Sequence, residues 1–124
     1  MKITALQIGS FFGLIAVALG AIGAHYVSPE NGFDIKISDA WETAALYQLL
    51  HALALILTYS ICPHKKWVTT MFTLGVVLFS GSIYLYTFTN WKFLMMLTPI
   101  GGICLICGWL ILFFHSICNK KKPS

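Results

Sequence analysis

Apolar residues run along this chain in four long blocks, at residues 3–25, 40–62, 67–88 and 93–118, each divided from the next by a polar break. Each block is near or above the roughly 20 residues that an α-helix needs to cross a bilayer core. The breaks differ in chemistry. Residues 26–39 hold Ser28-Pro-Glu-Asn-Gly32, a turn-rich run, and three of the chain's four acids. Cys62-Pro-His-Lys-Lys66 is a tight basic turn, and Thr89-Asn-Trp-Lys92 is a short polar one. Connections as short as the last two force antiparallel neighbours. The pattern predicts an all-α membrane protein, an antiparallel four-helix transmembrane bundle forming a single domain over residues 1–124.

Composition supports the membrane class. Of 124 residues, 58% are hydrophobic and only 10% charged, and the mean hydropathy is +0.81. A soluble domain carries about 25% charged residues, so there are too few charges here to cover a water-facing surface. The net charge of +4 comes from eight lysines and no arginine. That balance argues against nucleic-acid binding, where arginine dominates recognition. Lys2, Lys65, Lys66, Lys120, Lys121 and Lys122 share one side of the bundle, and Lys36 and Lys92 the other. The excess of lysine on cytoplasmic segments then puts both termini inside, N-in/C-in, with the acidic first loop outside. The basic tail at residues 119–122 reads as a topology anchor, with contact to anionic lipid as a second use. The first block also resembles a signal peptide, but its run of about 20 apolar residues exceeds the usual h-region and predicts a retained helix.

Lipid is as apolar as leucine, so helix association depends on close packing and a few polar contacts. Gly9, Gly13, Ala16, Gly20 and Gly23 form a small-residue stripe at helical spacing in the first block. Packing within the bundle is the expected use of this stripe, and a homodimer contact the alternative. In the fourth block, Pro99 removes a backbone donor and is expected to bend its helix.

The second block contains the costliest residue. Tyr47, Gln48 and His51 lie three and four positions apart, so their side chains share one face of a helix. Placing an ionisable group in hydrocarbon costs several kcal/mol on insertion scales, which demands a partner or a purpose. At a rise of 1.5 Å per residue, Gln48 and His51 fall roughly 10 and 15 Å below the outer end of the span. Ser80 and Ser82 fall at roughly 9–12 Å in the third block, and Thr98 and Pro99 at about 8–9 Å in the fourth. The expectation is one polar layer in the outer half of the bundle, with His25 and Glu42 as a rim above it. Two readings stand. In one, these groups hydrogen-bond to each other and lock the bundle; in the other, they line a pocket for a lipid head group, a quinone or a proton.

No catalytic residue, metal site or cofactor is implied. Glu42 stands alone, and no Ser-His-acid set or His-Glu-x-x-His spacing appears. Cys104-x-x-Cys107 invites comparison with membrane thiol enzymes of the vitamin K epoxide reductase type. However, the pair would lie about 16 Å into the membrane, and the outer loop lacks a cysteine to relay electrons.

Four motifs, in order on the four blocks, resemble one known family. They are Gly20-Ala-Ile-Gly-Ala-His25, Trp41-x-Thr-Ala-x-x-Tyr-Gln-x-x-His-Ala-Leu-Ala-Leu55, Val77-Leu-Phe-Ser-Gly-Ser-Ile-Tyr84, and Leu97-Thr-Pro-Ile-Gly-Gly102 followed by Gly108-Trp109. Small bacterial inner-membrane proteins of the YgdD and YwdK type, related to eukaryotic transmembrane protein 256, are similar in these stretches. The resemblance implies a four-helix protein of the bacterial inner membrane and supplies no reaction, cofactor or catalytic residue. It picks out His25, Tyr47, Gln48, His51, Ser80, Ser82, Thr98 and Pro99 as motif positions. Taken together, the sequence favours a non-enzymatic bundle in the lipid bilayer that binds a lipid, a membrane small molecule, a second copy or another membrane protein through the His51 layer. A proton-coupled transporter or channel built by an oligomer is the alternative, and a thiol or quinone redox enzyme using Cys104 and Cys107 comes third.

Overall fold

A computed structural model describes residues 2–118, which leaves the basic tail at residues 119–122 outside the described residues. Helix α1 spans Ala5–His25, α2 Ile35–Ile61, α3 Lys66–Thr89 and α4 Phe93–Cys118, with a 3-10 turn at Pro29–Asn31. All four helices are long and apolar enough to cross a membrane.

Local chemistry sets the ends of each helix. Thr4 caps α1: its hydroxyl accepts from the Gln7 amide at 3.2 Å, and the Gln7 side chain accepts from the Thr4 amide at 2.9 Å. This reciprocal pairing satisfies two first-turn donors. At the far end, the Asn31 side chain donates to the carbonyls of His25 and Tyr26 and closes the helix. Gly32, at φ 90°, turns the chain towards α2 in a conformation that a Cβ disfavours. Asp34 then caps α2 by accepting from the Lys36 amide at 3.0 Å. As a result α2 begins at Ile35, five residues before the expected start at 40. Hydropathy marks where a helix enters lipid, whereas the cap marks where the helix itself begins, and here the two differ. Helix α3 starts at Lys66 with no side-chain cap and ends at Asn90 in the left-handed region, which asparagine tolerates.

The helices pack in sequence order, α1 on α2, α2 on α3 and α3 on α4. Every neighbouring pair is antiparallel. Near one end Gly9 of α1 meets Ala52 and Leu55 of α2, and near the other Gly23 meets Trp41. Along the next interface Trp41 lies against Phe88, and His51 against Phe72. Leu55, Val68, Phe72, Val76 and Leu105 centre the core, while Leu14, Leu53, Leu85, Met96 and Phe113 point outward. An apolar exterior of this kind is what hydrocarbon accommodates.

Close approach follows the small residues, though not all of the expected stripe. Gly9, Ala16 and Gly23 are buried on α1. A Cβ on Gly9 would stand 2.7 Å from the Ala52 carbonyl oxygen, whereas one on Gly13 would meet Ala52 only at 3.8 Å. Nothing lies within 4 Å of a Cβ on Gly20. That glycine therefore sits off the interface, because the α1 surface turned to α2 follows residues 9, 16 and 23 and passes it by. Across α3 and α4, a Cβ on Gly101 would strike the Phe79 backbone, and Gly75 and Gly108 accommodate the side chains of Leu105 and Phe72.

Candidate functional site

Helix α2 carries the polar side chains that tie the bundle together. Trp41 Nε1 donates to the Leu19 carbonyl of α1 at 2.7 Å, and Gln48 Nε2 to the Phe12 carbonyl at 2.9 Å. On the opposite flank, Gln48 Oε1 accepts from the Tyr84 hydroxyl of α3 at 2.8 Å. The Ser80 hydroxyl of α3 in turn donates to the Ala44 carbonyl at 2.7 Å. Gln48 thus bridges three helices through both ends of one amide.

His51 belongs to a different cluster. Its Nδ1 lies 2.8 Å from its own helix's Tyr47 carbonyl, and its Nε2 accepts from the indole nitrogen of Trp109 on α4 at 2.9 Å. The Phe72 ring packs against both, with centroids 5.3 Å from His51 and 5.2 Å from Trp109. Gly108 gives Phe72 the space to do so. Both ring nitrogens of His51 are therefore occupied within the protein, and 6% of the residue is exposed.

The expected single layer resolves into separate groups. Ser82 and Thr98 share a hydroxyl hydrogen bond of 2.6 Å between α3 and α4, apart from both Gln48 and His51. Tyr47 stacks on Phe79 at 5.0 Å and leaves 40% of its surface open. Pro99 lies inside α4 on an exposed face. His25 and Glu42 are both exposed, and among the described residues no side-chain hydrogen bond joins them to one another or to the residues below. Gln48 and His51, expected to meet, turn to different partners. Tyr84 and Trp109, the two partners that complete these groups, stand in the third and fourth motifs, where spacing alone marks neither as a hydrogen-bond donor to α2. Cys62, Cys104, Cys107 and Cys118 are free thiols. Among the described residues, no three histidine, cysteine or acidic side chains cluster as metal ligands would.

A second feature lies at the other end of the bundle. A groove of about 740 Å³ opens between the start of α1, the end of α2 and the start of α3. Lys2, Lys66 and several threonines line it together with Ala5, Ile8 and Leu74. Thr58 and Thr70 use their hydroxyls on carbonyls one turn back, at 2.8 and 2.9 Å. Thr73 Oγ1, on the same wall, is the single buried side-chain polar atom without a partner among the described residues. Cys62 also borders the groove; burial pushes its thiol above the ordinary range, against the opposing pull of Lys65.

Four spanning helices with an internally bonded polar core define a polytopic helical membrane protein. Residues 19–102 match the family model described as "Protein of unknown function (DUF423)", and the chain belongs to that family. It is 37% identical over 109 residues to a UPF0382 membrane protein of Staphylococcus saprophyticus, covering 85% of this chain and 89% of the relative. A UPF0382 membrane protein of Staphylococcus haemolyticus is 39% identical over 119 residues, covering 88% and 91%. The UPF0382 inner membrane protein YgdD of Escherichia coli K12 is 34% identical over 117 residues, covering 89% and 86%. No solved structure matches. The helices and this kinship identify a multi-pass protein of the bacterial inner membrane.

Proposed function

We propose that the protein is a non-catalytic bundle that holds a membrane amphiphile in the groove between α1, α2 and α3, with the His51 and Gln48 clusters as its internal frame. The groove carries this reading: it combines an apolar wall, Ala5, Ile8 and Leu74, with a polar one, Lys2, Lys66 and Thr70. A volume of this order suits a small-molecule or lipid ligand. The His51 cluster supports the frame role, because its hydrogen-bonding groups already face one another. With both termini cytoplasmic, as the lysine distribution favours, the groove opens towards the inner leaflet. Native mass spectrometry of the freshly purified protein tests the reading. A retained lipid or lipid-like adduct is expected, and a protein that carries none and takes up none on lipid addition would sink it.

A further inference from the structure

The groove has a charge imbalance that narrows the choice of amphiphile. All four acids of the chain, Glu30, Asp34, Asp39 and Glu42, lie in the α1–α2 connection or the first turns of α2, at the opposite end of the bundle. Among the described residues, Lys2 and Lys66 therefore face the groove with no carboxylate side chain near them. Helix α3 also begins at this groove without a side-chain cap, so the positive end of its dipole is left for an anion. On the same wall, the Thr73 hydroxyl has no partner. From Lys66 to Leu74 the lining descends eight residues along α3, about 12 Å. That distance runs from a charged rim down into apolar wall, the profile of a phosphate head group continuing into an acyl chain.

Resting on the reading of the groove as an amphiphile site, we infer that its occupant is an acidic phospholipid. Lys2, Lys66 and the first turn of α3 take the phosphate, and Ala5, Ile8 and Leu74 take the upper acyl chain. Lys65, one residue from Lys66, lines a separate groove with Leu110, Phe114 and His115 of α4 and takes no part.

The test titrates the delipidated full chain in detergent with phosphatidylglycerol and with phosphatidylcholine of the same acyl chains, read by native mass spectrometry. Phosphatidylglycerol is expected to bind more tightly. The Lys2→Gln and Lys66→Gln variants should each lose about fivefold of that preference, and Lys65→Gln should keep it. Equal binding of the two lipids in the parent protein overturns the head-group inference and leaves the amphiphile reading standing. Loss of the preference in Lys65→Gln to the same degree as in Lys66→Gln assigns it to diffuse surface charge and overturns the site. Displacement of the lipid by excess soluble glycerol phosphate replaces the lipid with a free anion. If neither lipid binds, both the inference and the function it rests on fall.

Discussion

The indole of Trp109 donates its only N–H to His51 Nε2 at 2.9 Å. An indole has no lone pair to offer in return, so Nε2 must be the acceptor and the proton must sit on Nδ1, facing the Tyr47 carbonyl. Two contacts thereby specify one neutral tautomer. Solid-state NMR of histidine-labelled protein in lipid should report Nδ1–H for His51, and a shift typical of Nε2–H or of the imidazolium would refute the assignment. Trp109→Phe keeps the ring and removes the donor. It should lower stability by about 1 kcal/mol, within the range for hydrogen bonds between membrane helices.

Gly101 and Gly102 are neighbours with opposite tolerances. A Cβ on Gly101 runs into the Phe79 backbone, while one on Gly102 meets only the edge of the Phe79 ring at 3.9 Å. Backbone cannot move aside as a side-chain tip does. Gly101→Ala should therefore cost about 1–3 kcal/mol, and Gly102→Ala should be close to neutral. Denaturant unfolding in mixed micelles measures both, and equal effects would show that α3 and α4 do not approach this closely.

Gln48 couples α1 to α3 through one side chain. A double-mutant cycle with Gln48→Leu and Tyr84→Phe should return a coupling of about 0.5–1.5 kcal/mol. Strict additivity would mean that the two side chains do not touch.

Cys62 offers a reading of the groove from outside the spans. With its thiol pushed up by burial, less thiolate is present at any given pH, and the thiolate is the nucleophile. Maleimide labelling of Cys62 in a variant lacking the other three cysteines should lag behind that of glutathione from neutral pH upward. Lys65→Gln removes the opposing influence and should slow it further. Labelling at the glutathione rate near pH 7 would contradict the burial.

The four-helix architecture was legible because bilayer crossing imposes a length and a composition that hydropathy reads directly. Register was harder. Depth counted from residue 40 put His51 near Ser82 and Thr98, but the Asp34 cap starts α2 at Ile35. Counted from the helix starts at Ile35 and Phe93, His51 and Trp109 each lie sixteen residues in, about 24 Å along their helices. A shift of five residues thus changes the partner of the central histidine. The groove was beyond reach for another reason: its walls come from three helix ends, and Lys2, Thr58 and Thr73 share no sequence pattern.

The bonds from α2 to α1 end on main-chain carbonyls, those of Phe12 and Leu19. Every amino acid provides that oxygen, so α1 answers Trp41 and Gln48 whatever side chains it displays. Beside those carbonyls the interface requires thinness at Gly9, Ala16 and Gly23, where α2 comes close. At these two contacts the first helix holds its register through atoms that mutation does not alter.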